Sequence, residues 1–155
     1  MRKILFLILA LVSFSWVAAA KDKVPGDFKL VFRSSAGALE RATQETLTVH
    51  KDTVTVSRNA EIVGEEGVKT KSDRVYKITG EQLRQLYDVV VSSGFFTWPK
   101  NPDGPHQSTV EEFFDITADG KTVTHGRWEQ GNQEAFRALY DRYNAWFNSI
   151  RTARF

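Results

Sequence analysis

Apolar residues recur along this chain with two different periods, and the places where the period changes mark its elements. Phe28, Leu30 and Phe32 alternate with Lys29, Val31 and Arg33, which is the pattern of a half-buried strand. Residues 34–37 read as a turn, and 39–45 are too polar to place. Residues 46–50 and 53–57 then read as a hairpin about Lys51 and Asp52. In that register Val49 faces Val54 and Leu47 faces Val56, so one face carries all four apolar side chains. Polar residues 58–73, with Gly64 and Gly67 among them, predict a loop, and 75–78 a fourth short strand.

From Thr79 the period lengthens. Leu83, Leu86, Tyr87, Val90 and Val91 form one helical stripe, with Thr79 and Gln82 spaced as a capping box. Gly94 suits a left-handed helix ending, Phe95 the hydrophobic contact that goes with it, and Pro99 prevents the helix from resuming. Three of the four prolines fall in residues 99–107, which excludes a helix or central strand there. Residues 111–118 and 121–125 flank Asp119 and Gly120, the strongest hairpin signal in the chain. Ile116 then faces Val123 and Phe114 faces His125, while Phe113, Asp115, Thr117, Thr122 and Thr124 share the reverse face. Last, Asn132 stands where a second helix would be capped. Phe136, Leu139, Tyr140, Tyr143, Phe147 and Ile150 give its stripe, with Trp146 at the edge, and residues 151–155 are expected to fray.

The order is β-β-β-(β)-α-β-β-α. Hairpins imply antiparallel pairing, so the expected fold is an α+β two-layer sandwich. A mainly antiparallel sheet of five to six strands carries both helices on one face, and the Thr-rich other face meets solvent.

Composition adds export to that picture. Arg2 and Lys3, an uncharged run over 4–17, and Ala18, Ala19 and Ala20 read as a secretory signal over residues 1–20, cleaved near Ala20. The run is short for an uncleaved anchor of about 20 apolar residues. A single domain over 21–155 is expected beyond it, in the periplasm or secreted, and not membrane-bound. Of 21 basic residues, two lie in the leader and all 19 acidic ones lie outside it. The remainder is formally neutral, with no dense basic run, which argues against nucleic acid as a partner. The absence of cysteine excludes disulfides and a lipid-anchored Cys, so stability must come from a core.

Catalytic patterns are missing. His50, His106 and His125 lack the spacing of a helical zinc pair, and neither a nucleophile elbow nor a phosphate-binding glycine loop occurs. Glu111, Glu112 and Asp115 cluster on one strand. Carboxylates in a cleft can do acid–base work, but on a sheet edge they more often discourage stray pairing. The sequence therefore predicts no enzyme, metal or cofactor, and assigns no oligomeric state. Binding is better supported. The stiff loop over 98–108 presents Trp98, Pro102, Pro105 and His106, and stiffness lowers the entropy cost of docking. Arg127, Trp128 and Arg33 are the residue types that anchor interfaces.

A strand ending in Phe32 and Arg33, a hairpin, a helix ending in Gly94, Phe95 and Phe96, an acidic strand turning at Asp119 and Gly120, and a closing amphipathic helix complete the layout. It resembles small exported bacterial α+β domains, the emfourin-type inhibitors of thermolysin-like metallopeptidases among them. Those commonly show a glycine pair after the first strand, where Ser34, Ser35, Ala36 and Gly37 stand here, and no inhibitory residue carries over. The expectation is a non-enzymatic domain that binds a protein or peptide of the cell envelope, with protease inhibition as the version the resemblance implies. The alternatives are a carrier of a small hydrophobic ligand between sheet and helices, and a hydrolase using the acidic strand.

Overall fold

A computed structural model describes residues 23–38, 41–62, 69–105 and 108–153. The expected leader, the glycines at 64 and 67, and His106 lie outside them. Six strands, β1 (Lys29–Ala38), β2 (Arg41–His50), β3 (Thr53–Ile62), β4 (Lys69–Lys77), β5 (Val110–Ala118) and β6 (Lys121–Gly126), form one antiparallel sheet in the order β4-β3-β2-β1-β5-β6. Helices α1 (Gly80–Ser92) and α2 (Gln133–Thr152) pack on one face. This is the α+β two-layer sandwich in the expected order. No helix among the described residues is long and apolar enough to cross a membrane.

Both hairpin registers agree with the sequence pattern: Val49 pairs Val54 and Leu47 pairs Val56, while Ile116 pairs Val123 and Phe114 pairs His125. Asp119 and Gly120 both take positive φ, 52° and 73°, as a two-residue type I′ turn requires. The Asp27 carboxylate accepts from both of their amides, at 3.0 and 2.6 Å. These bonds, that from Gly120 foremost, hold its pKa below the usual carboxylate value. The capping box forms as expected: Thr79 Oγ1 accepts from Gln82 N at 3.1 Å and Gln82 Oε1 from Thr79 N at 2.8 Å. Gly94 is left-handed at φ 72° and Phe95 is fully buried.

The strands are longer than the hydrophobic pattern predicts. β1 runs through the expected turn at 34–37, β2 begins in the unplaced stretch, and β3 and β4 occupy most of the expected loop over 58–73. Ladder hydrogen bonds need no apolar side chains, so pairing continues where burial stops. Trp146 also differs. It is buried rather than marginal, and its indole N–H donates to Gln82 O of α1 at 2.8 Å.

The core lies between the layers. Phe32, Leu47, Val56, Phe114 and His125 form one row across the sheet, and α2 crosses on top of it. Ring centroids of Phe32 and Phe114 are 4.9 Å apart, Phe114 and Phe136 5.1 Å, and Phe32 and Tyr143 5.4 Å. These rings pack between the sheet and α2.

Candidate functional site

Two residues beyond Phe32 along the strands, the helices no longer cover the sheet. Ser72, Arg58, Glu45, Ser34 and Glu112 are register partners across β4, β3, β2, β1 and β5. Thr70, Ala60, Thr43, Ala36 and Val110 form the next row out. At about 3.3 Å per residue, the strands overhang α2 by roughly 13 Å. The step between this shelf and the flank of α2 is a groove. Its floor is the charged row, its lip is the row of small residues, and its wall is formed by Arg137, Tyr140, Asp141, Phe147 and Arg151.

Three contiguous recesses make up the groove. The one at the β5 end, about 260 Å³, lies among Glu112, Arg127, Arg137 and Asp141. The middle one, about 250 Å³, is lined by Ser34, Thr43, Glu45 and Tyr140. At the β4 end, about 190 Å³ is bounded by Arg58, Arg74, Tyr76, Phe147 and Arg151. Ion pairs fix the floor: Arg58 Nε donates to Glu45 Oε2 at 2.9 Å, and Arg127 Nη1 to the largely buried Glu112 at 2.7 Å. On the reverse face the overhang holds a wider depression of about 600 Å³, lined by Ser35, Gly37, Gln44, Asn59 and Lys71 among others. Its hollow follows the twist of the sheet, and Lys69–Glu61, at 3.3 Å, is the ion pair found among its lining residues.

The residues singled out from the sequence do not form one site. The proline loop is pinned rather than free. Gly104 N donates to Trp128 O at 2.7 Å, Gln130 N to Pro102 O at 3.0 Å, and Asn101 Nδ2 to Gln130 O at 2.8 Å, so residues 101–104 are zipped to the segment between β6 and α2. Behind this zip sits Glu129, 1% exposed. It takes Lys100 Nζ and Gly126 N (3.2 Å) on one oxygen, and on the other Asn132 Nδ2 (3.1 Å) and His125 Nδ1 (2.6 Å). Burial pushes its carboxyl up, but the hydrogen bonds from Lys100, His125, Gly126 and Asn132 outweigh it and leave the pKa below the ordinary value. Asn132 occupies the cap position of α2 as expected but does not cap it. Its amide is diverted to Glu129 and to Pro99 O at 2.8 Å.

Trp98 packs on His125 and Phe95, its indole donating to Ser93 O at 3.0 Å. Pro102 and Pro105 are exposed on the zipped loop. Arg127 stacks over Trp128 at 4.9 Å, and the Trp128 indole donates to Val110 O at 3.0 Å, closing the part of β5 that outruns β6. Of these residues Arg127 alone reaches the groove. Arg33 lies on the helix-free face, pairing with Asp115 at 2.9 Å and lying over Phe113 at 5.5 Å.

A carboxylate holding an imidazole is the pairing that orients a general base. Here His125 is 1% exposed, and its Nε2 has no hydrogen-bond partner among the described residues. Phe95 and Trp98 close over it. Glu112 and Asp115 point to opposite faces, to Arg127 and to Arg33, and no metal-binding cluster occurs among the described residues. The groove residues Arg58, Arg74 and Arg151, and Glu129 with Lys100, carry no spacing signal that would have marked them, and Tyr140 is marked only as part of the stripe of α2. Each is one ordinary charged or aromatic residue, brought to its place by register or by a turn.

The chain matches no family model and no curated protein. Its class is therefore set by architecture: a two-layer α+β sandwich whose sheet extends past its helices to leave a charged groove.

Proposed function

We propose that the protein is an exported, non-enzymatic binding domain that holds an extended segment of a protein or peptide partner in the groove beneath α2. The uncovered row from Glu112 to Ser72 carries this reading. It spans five strands, roughly 19 Å at about 4.8 Å per strand, which matches some six residues of extended chain. Its ion pairs hold their side chains in place before a partner arrives, which limits the ordering cost of binding. β4 is the last strand of the sheet among the described residues, and its outer edge offers backbone groups where such a segment leaves the groove. Inhibition of a secreted peptidase is one version of this function, and it rests on the resemblance in layout alone.

Site-specific photo-crosslinking tests the reading. A benzophenone amino acid at Thr43, on the lip of the groove, should give discrete adducts in extract of the host's cell envelope. The same group at Lys121, exposed at the start of β6 beside the Asp119–Gly120 turn, should give none. Equal adducts at both positions, or none at Thr43, would overturn it.

A further inference from the structure

The groove is not electrically uniform along its length. At its β5 end and middle, each arginine on the floor has a carboxylate partner, Arg127 with Glu112 and Arg58 with Glu45. At the β4 end the recess gathers Arg58, Arg74 and Arg151 around a single carboxylate, Glu45. Among the described residues neither Arg74 nor Arg151 has a carboxylate within ion-pair distance. Arg151 lies 5.9 Å over the Phe147 ring, and Phe147 meets Tyr76 edge-on at 5.7 Å. One guanidinium is thus set on a rigid aromatic wall. The lysines of β4 do not add to it: Lys69, Lys71 and Lys77 point to the other face and pair with Glu61, Asp73 and Asp52, so the excess charge at this end is that of Arg74 and Arg151.

We infer that this recess is an acidic-side-chain pocket: an extended partner segment seats an Asp or Glu carboxylate between Arg74 and Arg151 and continues along β4. The inference rests on the groove reading and names the chemistry of its partner. A guanidinium presents a planar fork of donors that matches a carboxylate in bidentate fashion. Two forks with no carboxylate partner among the described residues, facing one recess of about 190 Å³, leave room for one such group. The Arg58–Glu45 pair neutralises its own part of the recess, so the incoming carboxylate meets the positive charge of Arg74 on β4 and of Arg151 on α2.

A random ten-residue peptide display library panned against the full chain tests this, with an Arg74→Gln/Arg151→Gln double variant panned in parallel. Both side chains are at the surface, and a melting temperature within a few degrees of the parent's shows that the variant is folded. The expected result is a wild-type pool enriched several-fold in Asp and Glu over the input, with that bias lost in the variant. A selected acidic peptide should then shift the arginine Nε–H resonances of Arg74 and Arg151 in NMR spectra. Peptides enriched without acidic bias, or with the same bias against the variant, overturn the arginine pocket and leave the groove standing. No enrichment against either protein overturns both.

Discussion

The same strands lead two different lives on either side of the Phe32 row. On the helix side, every inward residue from Leu30 and Val49 to Ile116 is sealed by α1, α2 or the Glu129 bracket. On the overhang, the ladders continue unbroken while the side chains shrink to Ser, Ala and Thr or carry charge. One part of the sheet is thus held mainly by burial, and the other mainly by backbone pairing with the Arg58–Glu45 and Arg127–Glu112 ion pairs beside it. What stabilises the fold and what is free to meet a partner have been separated along the strand axis, not between different elements.

The largest effect that should follow is at Glu129. Its carboxylate is buried and serves four donors; removing it leaves those of His125, Gly126 and Asn132 short of a buried partner, while Lys100, 67% exposed, can turn to water. At about 1–3 kcal/mol for each buried donor left unsatisfied, Glu129→Ala should cost about 3–5 kcal/mol of unfolding free energy, read from urea titration, and should free the 101–104 loop to proteolysis. A cost below about 1 kcal/mol would mean that the bracket does not hold the loop.

Hydrogen exchange compares the two halves within single strands. Amides of residues 46–50 and 53–57 should open only with the global transition, and those of 41–44 and 58–61 through local fraying. Protection should fall by about two orders of magnitude on crossing from one set to the other, which is about 2.7 kcal/mol at roughly 1.4 kcal/mol per decade. Uniform protection along β2 and β3 would erase the distinction.

Acid sharpens the contrast further. Glu129 titrates below its ordinary value of 4.5 when folded, so the unfolded chain binds its proton first. Its contribution is complete above that ordinary value and is lost as pH falls through the lowered folded pKa. Glu129→Gln should therefore show a shallower acid limb in unfolding free energy than the parent does. An unchanged limb would assign acid sensitivity to other carboxylates.

How much of this was legible depends on which half is in question. Helix α1, with Thr79, Gln82, Gly94 and Phe95 in their roles, and both hairpin registers follow from side-chain pattern, because burial imposes a period on the residues it selects. The overhang does not. Ser34 to Gly37 read as a turn and residues 58–73 as a loop, since nothing buries them and their pairing is a matter of backbone. Asn132 stands at the cap position but in another role: its Nδ2 donates to the Glu129 carboxylate three residues before it and to Pro99 O, which turns the side chain away from the orientation in which its oxygen would accept from the first turn of α2. Trp98, Arg127 and Trp128 were recognised as anchors by residue type. Their type did not say that Trp98 and Trp128 close the molecule's own edges while Arg127 reaches a groove. Arg58, Arg74 and Arg151 come from β3, β4 and α2, and only the folded register puts them side by side.

The smallest effect is the one the comparison most depends on. The Arg58–Glu45 pair on the groove floor is partly solvated, with 64% and 32% of the two side chains exposed. Water screens such a pair, and ordering two long side chains offsets most of its attraction, so exposed pairs contribute about 0–1 kcal/mol. Arg58→Ala should accordingly leave urea unfolding within about 1 kcal/mol of the parent, even though the arginine sits within the uncovered row. If the same substitution weakens capture of a groove-selected peptide at least tenfold, the overhang holds side chains whose placement serves recognition rather than stability. If instead it destabilises the fold by more than about 2 kcal/mol, the charged row belongs to the core. The boundary at Phe32 would then be drawn in the wrong place.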